Sequence, residues 1–503
     1  MRTDPFYYGL LFGPLACSAP MLKREALAEI VLARGPLPAG SLQSAARGEM
    51  SLSAGPAWMG DVAPERQPTF AGLRTTGAEI EFALVLECDP DADRLVMRPL
   101  PSGESPLDAL ADPDRRARIR SWMATHAAGE RSGDLLELSL ANAIATKRLG
   151  PPLPEPRHIF GVTANFPSHL VHDLRVDALH MRLDALRAAR PRVFLKHPAT
   201  APAGYENAAQ HGFAGLSGPY DGIQYPATIP VPLGAEGAPV PVELRLDYEV
   251  EVGAVFAREL TPEFVRTASD TEIRAAIAGY VLASDAKARN PQVADRLRSL
   301  REEPDANGEP YRVADEELEE RLGHWSTETC AWWSYAASFG NFAALGPFLI
   351  AAPEDGLLPG RAMVLARSYV APPKGLEPGV LYLRQCSETT ECADARDALV
   401  WDVPTIVRSI LAEGSVIPFP DGKPRIAAGD VICLGTPGGT VITAPRIPRV
   451  VRWALFWWDD EHWHDAFFGK NAHLYLHDGD VVFQWAEGLG YQSHRLERAT
   501  SPN

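Results

Sequence analysis

Alternating charged residues at 245–251 are the first feature of the sequence that could do chemistry. In the stretch LRLDYEVEVGAVF (residues 244–256), apolar residues alternate with Arg245, Asp247, Glu249 and Glu251. This period of two predicts a half-buried strand. Residues i and i+2 of a strand lie on one side, about 6.5–7 Å apart, so Glu249 and Glu251 can converge on one cation. The alternative is a solvated strand face, because clustered carboxylates repel unless a cation or water lies between them.

A second polar group, Asp285, Arg289 and Gln292, follows the apolar run YVLAS at 280–284. The run predicts a buried strand that ends at Asp285, which is a common place for a site residue. The alternative is a helix with Asp285 as its N-cap, since Asp before an Ala-Lys-Ala stretch is a good cap. The residues alone leave both interpretations open.

Two turns could add further groups. In HIFGVTANFPSHLVH (158–172), a strand leads through a Gly/Asn turn into a helix on which His169 and His172 share a face. Zinc would need a third nitrogen or sulfur ligand, and none is suitably spaced. The stretch GDVICLGTPGGT (429–440) predicts a strand that leads into a Gly-rich loop. It lacks the G-x-x-x-x-G-K-[ST] pattern of a nucleotide P-loop.

Short apolar strands separated by Gly and Pro dominate the elements that must position these residues. Strands are predicted at Glu79–Glu87, His158–Thr163, Arg192–Leu195, Leu244–Phe256, Tyr280–Ser284 and Gly429–Leu434. Helices are predicted at Leu22–Arg34, Leu135–Lys147 (capped by Asp134), Ser168–Ala189, Pro262–Ala278 and Val403–Glu413. This order favours a β-rich mixed fold over a doubly wound sheet.

A proline-dense segment, LGPPLPEPR at 149–157, is a candidate domain boundary, because it suits neither helix nor sheet. We therefore expect an N-terminal domain at 1–150, with its first 70 or so residues loosely structured, and a catalytic domain at 151–503.

Composition limits the classes of partner. The chain has 503 residues, 46% of them hydrophobic, and a net charge of −17, which suits a globular protein and disfavours nucleic acid and anionic membranes. No apolar run reaches the ~18 residues of a membrane span. Six scattered cysteines predict reduced thiols in the cytoplasm. The apolar stretch at 7–16 has too weak a cationic start and too many interruptions for a signal peptide.

Taken together, these stretches resemble the motifs of the fumarylacetoacetate hydrolase family. That family has L-D-Y-E-x-E, N-D-x-S-A-R-D-x-Q, G-P-[FW], G-D-x-I-x-x-G-T-P-x-G and E-G-L-G, in this order. The corresponding segments are Leu246–Glu251, Ser284–Gln292, Gly346–Phe348, Gly429–Gly439 and Glu487–Gly490, and Asn165–His169 resembles N-Y-x-x-H. The resemblance covers about 158–497. It implies an α+β, β-rich rolled mixed-sheet catalytic domain behind a smaller N-terminal α/β domain, and a homodimer.

The resemblance also implies roles for individual residues. Glu249, Glu251 and Asp285 would hold Mg²⁺ or Mn²⁺, with Ca²⁺ as a less specific possibility. His169 would be the base that activates water. The groups that would bind substrate oxygens are Arg289, Gln292, Lys196 and Thr436.

The function implied is metal-dependent hydrolysis of a C–C bond in a β-diketo or acylpyruvate-type acid, as in the catabolism of aromatic compounds. A decarboxylase, hydratase/dehydratase or isomerase of a 2-oxo acid is the alternative on the same fold. A non-catalytic ligand-binding homologue is a third possibility. Retention of three carboxylates together with His169 argues against it.

The sequence departs from the family pattern at several positions. A family lysine in K-x-F-[DG]-[ST] falls at Ala337, and Asn341 replaces the Ser/Thr of that motif. Because that lysine is thought to steady an oxyanion or carbanion, we expect Lys196 to supply the missing cation. His172 stands where many short members have an acidic residue.

Two segments, 293–335 and 441–476, look like insertions. The second is rich in aromatic residues. Such residues predict private core or a dimer interface, with a lid over a hydrophobic substrate as the alternative.

Overall fold

The structure of the chain is a computed structural model. Its described residues are 51–52, 55–75, 79–130, 133–163, 165–166, 169, 187, 190–191, 193–196, 216–225, 228–232, 239–290, 334, 336–338, 342–354, 356, 363–387, 399–412, 417, 419, 422–437, 440–441 and 474–498. The predicted helices at 22–34 and 168–189 lie essentially outside them. Among the described helices, none is long and apolar enough to cross a membrane.

Strands make up most of the described elements. They are β1 (Ser51–Leu52), β2 (Thr69–Arg74), β3 (Ile80–Asp89), β4 (Arg94–Pro99), β5 (Leu136–Ser139), β6 (Leu149–Gly150), β7 (Ile159–Val162), β8 (Val193–Leu195), β9 (Ile223–Tyr225), β10 (Thr228–Pro232), β11 (Pro239–Glu243), β12 (Leu246–Phe256), β13 (Ile277–Ala288), β14 (Ala343–Ala351), β15 (Met363–Ser368), β16 (Leu381–Ser387), β17 (Val431–Cys433), β18 (Val481–Ala486) and β19 (Gly490–Arg498). The helices are α1 (Pro106–Ala111), α2 (Pro113–Ala127), α3 (Leu140–Ala145), α4 (Pro262–Thr267), α5 (Asp270–Arg274) and α6 (Val403–Leu411), and Pro56–Met59 is a 3₁₀ turn.

The strands form three sheets, which confirms the predicted β-rich α+β class. The largest has 11 strands in the order β5-β4-β3-β2-β14-β13-β12-β17-β7-β8, with β6 paired to β2. A six-stranded sheet runs β1-β16-β15-β18-β19-β9, and β10 pairs with β11. The proline-dense segment at 149–157 does not interrupt the large sheet, because β2 pairs with β14 beyond it. Residues on both sides of the predicted boundary therefore share one sheet.

The strand pair β12–β13 runs through the middle of the large sheet. All 11 residues of β12 are buried, so the prediction of a half-buried strand is wrong. The reason is that the six-stranded sheet covers this pair: Gln484 of β18 donates to the Glu249 carbonyl (2.9 Å), and Gln492 of β19 donates to the Leu282 carbonyl (2.8 Å). The charged face of β12 thus has no access to bulk water, and its carboxylates must be compensated by protein groups or ions.

Two predicted helices differ in the structure. The segment predicted as helix Leu135–Lys147 begins as strand β5, because Leu136–Ser139 has a period of two and pairs with β4; Ser139 rather than Asp134 then caps α3. The segment predicted as helix Pro262–Ala278 is divided into α4 and α5, since Ser269 forms a new capping box with Glu272. The predicted helix Val403–Glu413 is confirmed as α6.

A buried hydrogen-bonded pair links the residues that immediately precede the parallel strands β7 and β17. His158 donates its backbone N–H to Asp430 Oδ1 and lies with Nδ1 2.7 Å from Oδ2, while the Ala427 N–H donates to Oδ2 at 2.7 Å. Both side chains are fully buried. Asp430 is the aspartate of the Gly-Asp motif at 429–430, so this motif fixes where the Gly-rich loop begins.

We predict that Asp430→Ala lowers the free energy of unfolding by about 3–5 kcal/mol, because three buried donors lose their acceptor. Urea unfolding followed by tryptophan fluorescence would measure the change. Asp91→Ala, at an exposed turn, is the matched control and should change the midpoint little. Equal midpoints for the two variants would contradict the structural role of this pair.

Candidate active site

Three buried carboxylates converge where β12 and β13 pair. Glu249 lies directly opposite Asp285 in the antiparallel register, and Glu251 follows two residues along the same face of β12. One oxygen of each of the three side chains lies within 4.8 Å of the others. Asp285 lies within β13, so the helix-cap interpretation is wrong and the predicted buried strand is confirmed. The predicted end at Asp285 is wrong, because β13 continues to Ala288. The backbone register therefore creates the cluster.

Cationic side chains surround two of the three carboxylates. Glu249 pairs with Lys287 (2.7 Å) and Arg289 (2.5 Å), and Asp285 pairs with Lys196 (2.7 Å) and Lys287 (2.8 Å). Burial by itself would raise the pKa of Asp285, but Lys196 and Lys287 outweigh it and lower this pKa to about 2. In the same way, Lys287 and Arg289 outweigh burial and lower the pKa of Glu249. Both groups are therefore ionised at neutral pH.

Glu251 has a different environment. Its Oε2 accepts the backbone N–H of Gly435 at 2.7 Å, and no ion pair forms on it within the described part of the chain. Burial, followed by the charge of Asp285, raises its pKa well above the usual value. A third negative charge is thus costly here unless another cation arrives. Three converging carboxylates, one of them uncompensated, fit a hard divalent cation that prefers oxygen ligands.

His169 lies beside this cluster. It is buried, and it is close enough to Glu249 that its positive form helps to lower the pKa of that carboxyl. The turn that leads to it is fixed by Asn165, whose amide donates to the carbonyls of Trp401 (3.1 Å) and Leu434 (2.9 Å) and accepts from the Trp401 N–H. Asn165 thus ties the His169 segment to the start of the Gly-rich loop.

Lys196 extends from the end of β8 into the carboxylate cluster. Its ammonium group lies 2.7 Å from Asp285 Oδ1 and donates to the carbonyls of Ala286 (3.0 Å) and Ala337 (3.1 Å). The ammonium group thus has two hydrogen-bond acceptors and one ion-pair partner. The carbonyl contact also shows that position 337, where the family lysine is missing, lies next to the site.

The remaining predicted substrate-binding residues have different placements. Arg289 is buried and directed at Asp247 (2.7 Å) and Glu249 rather than at an open space. Thr436 is buried in the Gly-rich loop, and its hydroxyl donates to Gln385 Oε1 at 3.4 Å. Gln292 lies outside the described residues, as does almost all of the two predicted insertions.

Three residues of the site were not singled out from the sequence. Lys287 and Asp247 follow from the strand period, because each lies two residues from a predicted ligand and so shares its face. Gln385 on β16 belongs to the other sheet, donates to the Pro437 carbonyl (3.0 Å) and supports the Gly-rich loop. No local pattern in the sequence could have joined it to the site.

Three solved structures that are similar to this chain at low sequence identity are of proteins named as enzymes. A probable 2-hydroxyhepta-2,4-diene-1,7-dioate isomerase from Mycobacterium abscessus is 17% identical, with 86% of this chain and 99% of that chain covered and a TM-score of 0.45. Fumarylacetoacetate hydrolase from Exiguobacterium antarcticum is 18% identical (86% and 100% covered, TM-score 0.41). A 5-carboxymethyl-2-hydroxymuconate delta-isomerase from Mycobacterium smegmatis is 17% identical (86% and 100% covered, TM-score 0.39).

The family comparison concerns the part of the chain that carries the site. No curated protein sequence matches. The family model described as fumarylacetoacetate (FAA) hydrolase C-terminal matches residues 158–308. This range contains His169, Lys196 and the carboxylates of β12 and β13. This match confirms, over residues 158–308, the resemblance to the fumarylacetoacetate hydrolase family that the motifs predict.

Proposed function

We propose that this chain is a divalent-metal-dependent hydrolase that cleaves a C–C bond in a β-diketo or acylpyruvate-type acid. The observation that carries the proposal is the convergence of Glu249, Glu251 and Asp285 in a buried site beside His169. Mg²⁺ or Mn²⁺ is the cation that we infer, because the three donors are all carboxylate oxygens; Ca²⁺ would also accept them. A homodimer in the cytoplasm remains a prediction from the sequence.

The side chains of the site would divide the chemistry among them. A bound cation would polarise the two oxygens of a 2-oxo acid or 1,3-diketone. His169 would take a proton from the attacking water, since an imidazole is a suitable general base at neutral pH. Arg289 forms an ion pair with Glu249, so it would position a metal ligand rather than the substrate. Thr436 and Gln385 would support the loop that faces Glu251.

Lys196 would supply positive charge where electron density accumulates as the C–C bond breaks. It is fully buried, and water in such a site competes little with a fixed cation. Its ammonium group already has two hydrogen-bond acceptors and an ion-pair partner, so we infer that it acts through its charge and through the orientation of Asp285. This role would compensate for Ala337, which replaces the family lysine.

A second candidate is decarboxylation, hydration or isomerisation of a 2-oxo acid at the same site. Ala337 favours it, because decarboxylation and isomerisation form no tetrahedral oxyanion from attack of water and so have less need of a lysine there. Turnover of acetylpyruvate and oxaloacetate with Mg²⁺ or Mn²⁺ would separate the two candidates: hydrolysis of acetylpyruvate to acetate and pyruvate supports the first. Loss of carbon dioxide from oxaloacetate supports the second. No metal-dependent turnover of any such acid would favour a ligand-binding homologue.

Glu251→Gln tests the proposed metal site most directly, because it removes an anionic ligand without breaking an ion pair. We expect Mn²⁺ to bind at least about tenfold more weakly, a loss of about 1.4 kcal/mol, and activity to disappear. Electron paramagnetic resonance of free Mn²⁺ would measure the affinity. Glu243→Gln, which changes an exposed carboxylate, is the control. Glu249→Gln and Asp285→Asn should have the same direction. Unchanged Mn²⁺ affinity in all three variants would refute the assignment.

His169→Ala should lower kcat by roughly 10²–10⁴-fold and leave Mn²⁺ affinity nearly unchanged, as expected for a general base that is not a ligand. Steady-state kinetics and the same Mn²⁺ titration would be run in parallel. If the variant loses the metal, His169 belongs to the coordination sphere, and the carboxylate-only site is wrong.

Lys196→Met should lower kcat far more than it changes KM, because the interaction strengthens mainly in the transition state. Lys374→Met, which removes an exposed lysine, controls for the change in net charge. A near-normal kcat would show that C–C hydrolysis here needs no such cation, and the second candidate reaction would then be the better one.

A further inference from the structure

Lys287 lies inside the carboxylate cluster that the proposed function assigns to a metal. Its ammonium group lies 2.7 Å from Glu249 Oε2 and 2.8 Å from Asp285 Oδ2, and the side chain is only 4% exposed. The backbone places it there: β13 puts Lys287 two residues after Asp285 on the same face, opposite Asp247. Every oxygen of Glu249 and Asp285 thus has a cationic partner, since Arg289 and Lys196 occupy the other two.

A divalent cation and this ammonium group cannot both be accommodated easily. Oxygen ligands lie about 2.0–2.1 Å from Mg²⁺. Lys287 Nζ lies 2.7 Å from Glu249 Oε2. An ion bound to the same oxygen would therefore lie within roughly 5 Å of Nζ, even if it approached from the opposite side. Like charges at this distance repel strongly where water is excluded. Binding of the ion therefore requires the ammonium group to withdraw.

The count of charges leads to the same alternative. Four carboxylates (Asp247, Glu249, Glu251 and Asp285) face three cationic side chains (Lys196, Lys287 and Arg289). A divalent ion added to all seven ionised groups leaves the cluster with excess positive charge. Without Lys287, the same ion leaves it neutral. The family motif at 284–292 has Ser at this position, so the lysine is a feature of this chain.

We propose that Lys287 is a tethered cation that competes with the divalent metal for Glu249 and Asp285. In the metal-free protein it holds the two carboxylates in place; when metal binds, it moves away from them. Its ammonium group lies 4.9 Å from the centroid of the Phe194 ring, whose face offers an alternative contact. This inference rests on the proposed metal site. In it, the carboxylate ligands are retained, and Lys287 lowers the affinity of the site for the metal.

The test compares Mn²⁺ affinity in the full-length protein and in Lys287→Ser, Lys287→Met and Lys287→Arg, by paramagnetic resonance. We expect Ser and Met to bind Mn²⁺ at least about tenfold more tightly, and Arg to bind no more tightly than the native lysine. Lys374→Met, the exposed control, should leave affinity unchanged. Melting temperature gives a second readout: metal should raise it more in Lys287→Met than in the native protein, because a ligand stabilises the state that it binds.

Each outcome decides the question. Tighter Mn²⁺ binding in Lys287→Ser and Lys287→Met supports the competition. If the native protein binds no Mn²⁺ while both variants do, the competition still stands, and only the proposed metal-dependent reaction of the native chain is refuted. Equal or weaker binding in both overturns the competition; if the native protein binds Mn²⁺ well, the proposed metal site stands. If the variants are unfolded without metal, recovery of the fold by Mn²⁺ supports the competition and no recovery overturns it.

Discussion

The antiparallel pairing of β12 with β13 is the constraint on which the site depends. Its register sets Glu249 directly opposite Asp285, and a slip of one residue would turn every polar side chain of a strand to the other face. Both strands are buried along their whole length, so the carboxylates are removed from water. Burial makes each unpaired charge costly. The surrounding lysines and arginine follow from that cost as much as from any need of catalysis.

The six-stranded sheet and the Gly-rich loop contact the β12–β13 pair and hold it in place. Gln484 and Gln492 reach from β18 and β19 to carbonyls of β12 and β13, which locks the two sheets together across the site. The Gly435 N–H and the Asn165 amide tie the Gly-rich loop to Glu251 and to the His169 segment. The precision of the site therefore comes from strands and backbone contacts. Such a scaffold suits a reaction that needs fixed distances between groups.

The strand period was sufficient to predict that Glu249 and Glu251 share a face, because local order along a strand decides which residues do so. The family resemblance added Asp285 to this group. They failed where the cause is non-local. Whether the charged face of β12 meets water depends on the six-stranded sheet, whose Gln484 lies 235 residues further along the chain than Glu249. Gln385 reaches the site from that sheet for the same reason. The prediction of one helix at 262–278 is wrong for a local reason: the capping box of Ser269 and Glu272 begins a second helix within the segment.

Positions 287 and 337 are linked by charge. The Ala337 carbonyl accepts a hydrogen bond from Lys196. The backbone of a lysine at 337 would therefore lie beside a cluster that already holds Lys196, Lys287 and Arg289. Four cations and a divalent metal would far exceed the four carboxylates that face them, and like charges in a buried site disfavour one another. A lysine at 287 and a lysine at 337 are thus hard to combine with metal binding. The alanine at 337 fits a site in which Lys196 and Lys287 already supply positive charge.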